Sequence, residues 1–199
     1  LVTPPSKEWL RAKQYFLERE FFYEWKDFRL PYEDLMTHNQ AIHQHLVTLY
    51  FIIKEFNLKT VLEIGTQQGY STVAMGCAVK EIGGHLYSCD IVECPIAIER
   101  MLNRDLYSSW TFYESKSSNN ISWNKPIDLL FLDSKHTEER INADLRHFEP
   151  HVRKGGFIII HDFLVFPKMA VAIDEYFKNK KYSMYRYFND CGLQIFRKL

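Results

Sequence analysis

The sequence lacks most of the features that would assign a function class at once. Its four cysteines, Cys77, Cys89, Cys94 and Cys191, form no C-x-x-C pair and no Cys/His spacing of a zinc module. Reduced thiols are therefore expected, with Cys77 and Cys89 acting as small core hydrophobes. Excess charge is also missing. Lys+Arg and Asp+Glu each number 25, so no basic field points to nucleic acid. The longest apolar run, residues 46–53, contains Thr48 and is closed by Lys54 and Glu55, too short to span a bilayer. No P-loop is present, and the one glycine-bearing turn lacks the G-x-G-x-x-G spacing, because the second position counted from Gly65 is Gln67. No signal-peptide pattern opens the chain, which starts at Leu1, and a cytoplasmic protein without a membrane or nucleic-acid partner is the expectation.

What is present is organised around TVLEIGTQQGYST at residues 60–72. Val61, Leu62 and Ile64 suit a strand buried on both faces, and Gly65 and Gly69 relieve the steric limits of a sharp turn that a ligand approaches. Ser71 or Thr72 is expected to cap the next helix, whose free N–H groups favour an anionic group. A strand over residues 85–90 then ends in Asp90, roughly twenty residues past the turn, where doubly wound folds hold ribose hydroxyls. A carboxylate there can accept two hydrogen bonds from a diol.

Two further strands end in chemistry. IDLLFLDSKH at residues 127–136 runs into Asp133 and His136, and GGFIIIHD at residues 155–162 runs into His161 and Asp162. As adjacent parallel strands they would set Asp133, His161 and Asp162 on the rim that carries the glycine turn. Converging carboxylates with open positions form a hard site suited to Mg²⁺ or another divalent ion, which would lower the pKa of a substrate hydroxyl. His136 would take the hydroxyl proton, unless it is simply an exposed residue at a helix start. His161 is open between metal ligand, orienting hydrogen bond and second base. Arg140 and Asp144, one turn apart, are expected to form an intrahelical ion pair outside the site.

At 199 residues the chain suits one α/β domain with a single core. Residues 1–36 mix Trp9, Phe16, Phe21, Phe22, Tyr23, Trp25 and Phe28 with charge. They are expected to form an N-terminal helical cap segment that packs on the core, covers a substrate or supports a homodimer. A helix is expected over residues 39–56, another from the glycine turn to Gly83, a third from Pro95 carrying Ile98, Met101 and Leu102, and others over residues 137–148 and 169–177. A strand is expected near residues 110–113, and a hairpin around Asn189, Asp190, Cys191 and Gly192.

The E-x-G-x-x-x-G-Y-S pattern resembles motif I of class I S-adenosylmethionine (SAM)-dependent methyltransferases. Asp133 with His136 three residues on is similar to the metal ligand and base of the metal-dependent catechol O-methyltransferase-like and macrolide-sugar O-methyltransferase branch. The resemblance spans about residues 39–163. It implies a doubly wound, seven-stranded, mostly parallel Rossmann-like sheet over residues 37–199 with an antiparallel C-terminal hairpin. It also implies SAM held by Glu63, Gly65, Thr66, Gly69, Tyr70, Ser71, Asp90 and Ser115, with Ser115 in a polar loop beside the adenine. Asp133 and His136 would be catalytic, and Asp133, His161 and Asp162 would hold Mg²⁺ or another divalent metal. The implied reaction is methylation of a hydroxyl on a small molecule of sugar or polyketide/phenolic type. His161 departs from the family, whose members carry an acid there. Histidine is a poorer Mg²⁺ ligand than carboxylate, so the departure leaves open a weakly bound metal, Mn²⁺ or Fe²⁺ instead, or none, and with them an inactive cofactor-binding or regulatory protein on the same fold.

Overall fold

The computed structural model describes residues 42–199, so the expected cap over residues 1–36 and the first residues of the helix expected from 39 lie outside the described part. Seven strands form one sheet: β1 (Thr60–Ile64), β2 (His85–Asp90), β3 (Trp110–Glu114), β4 (Ile127–Leu132), β5 (Val152–His161), β6 (Tyr182–Tyr187) and β7 (Leu193–Lys198). Their order is β3-β2-β1-β4-β5-β7-β6, and the chain direction is parallel from β3 through β5 and antiparallel at β7 and β6. The doubly wound α/β sheet with a terminal hairpin expected from the sequence is thus the observed one.

Side chains alternate across each strand, so the sheet separates two apolar layers. On one side Val61, Leu129, Phe131, Phe157 and Ile159 meet helices α1 (Leu46–Glu55) and α2 (Tyr70–Glu81). Met101 of α3 (Pro95–Asn103) joins that layer. On the other side Leu62, Ile64, Leu130, Leu132, Ile158 and Ile160 meet α4 (Glu138–Phe148) and α5 (Pro167–Phe177). Helix α1 is buried at every position from Leu46 to Ile53, which explains a run without an obvious polar face. It is preceded by a 3₁₀ turn, His43–His45, so the helix itself starts later than its apolar spacing predicts. In α3, Met101 is buried but Leu102 is 54% exposed, so Leu102 does not belong to the core face.

β4 sits at the centre of the sheet between β1 and β5, with β2 outside β1, and the carboxyl ends of these parallel strands define one rim. Gly65 stands where β1 leaves the sheet, at φ +99°, and a Cβ built there would lie 2.1 Å from the carbonyl oxygen of Asp133. No L side chain fits that approach, so Gly65 is required by packing against β4's exit as much as by a ligand. Gly69, at φ +78°, caps α2, and its missing side chain admits Ala97 of α3. Gly65→Ala should lower the unfolding free energy by about 3 kcal/mol, from backbone strain and a forced shift of Asp133. Urea denaturation measures it, and a variant as stable as the parent would show that the β1 and β4 exits tolerate separation.

Candidate active site

Beneath the glycine turn lies Glu63, fully buried in β1. Its carboxyl accepts hydrogen bonds from Ser71 Oγ (2.6 Å), Thr72 Oγ1 (2.8 Å) and Ser88 Oγ (2.6 Å), and Ser88 Oγ in turn accepts one from Trp110 Nε1 (2.9 Å). Ser71 and Thr72 therefore do not cap α2. They lie inside its first turn, the cap position is Gly69, and their hydroxyls tie the helix start to β1. Glu63 and Ser71 belong to this buried network under the turn; neither lines the large cavity described below. Burial pushes the Glu63 carboxyl up, and the three hydroxyl donors only partly offset it, leaving a pKa of about 7.

Asp90 ends β2 as expected, but most of its carboxylate is already engaged. Oδ2 accepts the backbone N–H groups of Thr66 (2.8 Å) and Gln67 (3.0 Å), and Oδ1 accepts that of Ile91 (2.7 Å). A carboxylate offers about four lone-pair positions, so about one remains for a ligand hydroxyl instead of the two a diol would use. Asp90 is at once the clamp of the glycine turn and a wall of the cavity.

The cavity has a volume of about 640 Å³. Its lining takes Gly65, Gln67, Asp90 and Ile91 from the exits of β1 and β2, Ser118 and Arg140 from the loop after β3 and from α4, and Asp133 with His136 from the exit of β4. A separate hollow of about 40 Å³ adjoins the turn at Thr66, Gly69, Tyr70, Ser71 and Asp133, and there the buried Thr66 hydroxyl makes no hydrogen bond. Tyr70 is buried under the Arg100 guanidinium, 4.1 Å from its ring centroid, while Arg100 Nη1 donates to Gln68 O (2.6 Å). Tyr70 thus braces the turn from outside the large cavity. Cys89 also lines the large cavity, and burial pushes its thiol up to about 12, which keeps it an inert hydrophobe. Ser115, placed beside a ligand by its loop, turns its hydroxyl back to Ser117 O (2.8 Å), and Ser118 occupies the lining instead.

Arg140 and Asp144 do pair within α4, yet the pair builds the cavity wall. Asp144 is fully buried and accepts both Arg140 Nε (2.9 Å) and Nη2, together with the hydroxyls of Ser118 and Ser134 (3.0 Å). Arg140 also donates to Ser117 Oγ (3.0 Å) and Asn119 Oδ1 (2.8 Å). One ion pair thereby holds α4, the loop after β3 and the residue beside Asp133. The (i, i+4) spacing alone carries no hint of this; the serines around 115–118 and Ser134 were the available signal.

At the reactive end, Asp133 and Asp162 leave adjacent parallel strands as expected. His136 Nε2 lies 2.9 Å from Asp162 Oδ2 and 3.3 Å from Asp133 Oδ1, and its ring stacks on Phe166 at 4.5 Å with an 8° interplanar angle. These three residues bring one donor atom each within 4.8 Å of one another. His161 comes from behind, 2% exposed, with Nδ1 3.0 Å from Asp162 Oδ1 and 3.5 Å from Asp133 Oδ1. Neither contact has the direction of a hydrogen bond, so both ring nitrogens and Asp162 Oδ1 are buried without one. Asp162 itself has φ +66°, a left-handed turn that swings the chain out of β5. Burial lowers the pKa of both imidazoles, but the two carboxylates outweigh it and raise each to about 9. For Asp133 and Asp162 burial acts upward, and the facing imidazoles more than reverse it.

A family model described as a methyltransferase domain matches residues 62–163, just over half of the chain. Solved structures share the fold at low identity. A Klebsiella pneumoniae protein assigned as an O-methyltransferase is 18% identical with a TM-score of 0.71, over 94% of this chain and 96% of that one. The SAH-bound methyltransferase PaMTH1 of Podospora anserina is 15% identical, with a TM-score of 0.67 over 100% and 99%. TomG of Streptomyces achromogenes, an O-methyltransferase of tomaymycin synthesis in complex with SAM, is 14% identical, with a TM-score of 0.63 over 100% and 92%.

The buried Glu63 carboxyl makes a pH prediction. Its folded pKa of about 7 lies above the ordinary 4.5, so the fold favours the protonated form. That contribution is fully present below pH 4.5 and is lost as pH rises through about 7. Glu63→Gln removes the titration, so the parent should lose about 3 kcal/mol relative to the variant over that window. Urea unfolding across pH measures the difference, and parallel stability profiles would contradict an ionising carboxyl at this position.

Proposed function

The chain belongs to the methyltransferase domain family, and on that premise we propose that it transfers a methyl group from SAM to a hydroxyl of a small molecule. The observation that carries the reading is one cavity shared by both sets of residues. It joins the glycine turn and Asp90, where a nucleoside would sit, to Asp133 and His136, where chemistry would occur. Such a volume suits one cofactor with an acceptor entering at its far end. When bound, SAM supplies a methyl group on a sulfonium, which departs as a neutral thioether.

The chain's own residues divide the work. Asp90 takes a ribose hydroxyl on its one open position, and Ser118 with Arg140 walls the base. The Thr66 hydroxyl and the first N–H groups of α2 face the amino-acid portion. Asp133 and Asp162 place negative charge where the acceptor hydroxyl must lose a proton, and His136 is the group at the cavity's end that accepts it. His136 carries a proton while the two carboxylates face it alone, so it serves as base only once another cation compensates them. The donor set fits a divalent ion: Asp133 and Asp162 would hold it, and it would lower the pKa of the acceptor hydroxyl. The remaining gain comes from holding two reactants in line. The acceptor is proposed to be a hydroxylated small molecule of sugar or phenolic type, in keeping with the O-methyltransferases that share the fold.

Titration calorimetry with SAM should give micromolar binding, which Asp90→Ala weakens at least about tenfold by removing a charged acceptor and loosening the turn. His136→Asn should leave that affinity unchanged and reduce methyl transfer to a panel of sugar and phenolic acceptors by about 100-fold or more. Absence of SAM binding, with or without divalent ions, would sink the reading.

A further inference from the structure

We propose that the rim of Asp133 and Asp162 takes a nitrogen-accepting first-row transition ion in preference to Mg²⁺, with the His161 imidazole as its third protein donor. This rests on the reading that a cation belongs at the rim, and it names the class of cation.

Three atoms carry the argument. His161 Nδ1 lies 3.0 Å from Asp162 Oδ1 and 3.5 Å from Asp133 Oδ1. Two donors bound side by side to one ion at about 2.1 Å each stand about 3 Å apart, so these separations are those of ligands sharing a centre. Buried polar atoms are ordinarily hydrogen-bonded, yet the 3.0 Å ion pair of His161 Nδ1 with Asp162 Oδ1 is buried without the direction of a hydrogen bond. His161 is held rigidly: it is 2% exposed, and its ring meets the buried His45 ring edge-on, with centroids 5.6 Å apart. An imidazole placed at that cost, converging with two carboxylates, is accounted for by an ion that is their common partner.

The donor set then selects the ion. Mg²⁺ prefers oxygen donors and retained waters, whereas imidazole suits Mn²⁺, Fe²⁺, Co²⁺ and Zn²⁺ progressively better. A carboxylate in place of His161 would make an all-oxygen rim that Mg²⁺ fills well. His161 is therefore the residue that sets the metal class. His136 Nε2 shares Asp133 Oδ1 at 3.3 Å but reaches Asp162 through Oδ2 rather than Oδ1, from the cavity side.

The test titrates the full chain, without SAM, with Co²⁺ and separately with Mg²⁺, following the Co²⁺ visible absorption and the heat of binding. Any site of this kind holds Co²⁺ more tightly than Mg²⁺, so the informative quantity is the ratio of the two affinities in the parent and in His161→Asp. The proposal expects that ratio to fall at least about tenfold in His161→Asp, with Mg²⁺ binding more tightly than in the parent. An unchanged ratio overturns it. Should the variant fail to fold, pulsed electron paramagnetic resonance of Mn²⁺ on the otherwise native chain decides. Comparison of unlabelled with ¹⁵N-histidine protein should show a coordinated imidazole nitrogen that persists in His136→Asn. No nitrogen coupling, or a coupling lost in His136→Asn, overturns the assignment of His161. Because SAM is absent throughout, failure here leaves the calorimetric test of cofactor binding untouched.

Discussion

Two carboxylates emerging from neighbouring parallel strands cannot face each other unless something positive stands between them, and this constraint organises the reactive end of the molecule. Asp133 and Asp162 are each flanked by His136 on the cavity side and by His161 from behind. Mutual repulsion of such a pair would raise one carboxyl well into the neutral range. Here both are held below the ordinary range because two imidazoles bear the compensating charge. The arrangement defines a place for a cation, and the surrounding structure presents that place to the cavity. Gly65 lets the exit of β1 press against the Asp133 carbonyl, the left-handed Asp162 turns β5 outward, and Phe166 fixes the plane of His136.

The opposite end follows a different logic. The glycine turn has few side chains of its own to hold it, so its shape is imposed from below and from the side. Glu63 anchors Ser71 and Thr72, Asp90 gathers the N–H groups of Thr66 and Gln67, and Arg100 spans from the ring of Tyr70 to Gln68 O. A turn preorganised in this way spends little conformational entropy when a ligand arrives. The Arg140–Asp144 pair joins the two ends, since the same carboxylate accepts the hydroxyl of Ser118 from the side wall and that of Ser134 beside Asp133.

The architecture was legible because strand burial leaves a direct signature. Runs such as Leu129-Leu130-Phe131-Leu132 and Phe157-Ile158-Ile159-Ile160 suit only strands covered on both faces, and each ends in the acid that marks the rim. Asp90, Asp133 and Asp162 stand where the strands leave the sheet for the same reason: position at a strand's carboxyl end is a topological fact that sequence order conveys. The burial of Glu63 under the turn is not legible in the same way, because spacing does not reveal which way a side chain in a strand points. The alternation that puts Leu62 and Ile64 on one face puts Glu63 on the other, under α2. Ser71 was taken for a cap because cap geometry depends on where the helix starts, and Gly69 in the left-handed region starts it two residues earlier. Ser115 and Ser118 differ only in which way a loop turns, and Arg140 decides that from another element.

The positions where local rules are broken are themselves informative. Glu63 is a buried acid without a cation partner, its pKa lifted to about 7. Asp162 is a non-glycine residue at positive φ, and His161 is an imidazole almost wholly buried without hydrogen bonds. Each of these costs stability on the order of 1–3 kcal/mol, and an apolar replacement at the same place would avoid it. Asp162 and His161 stand at the carboxyl end of β5, and Glu63 lies one residue before the end of β1. The second sheet face, built from α4, α5 and the strands beneath them, is by contrast packed with Leu, Ile and Phe in ordinary alternation. Three such costs borne near the carboxyl ends of β1 and β5 are what selection for a site leaves, because a fold needing only to persist would have relaxed them.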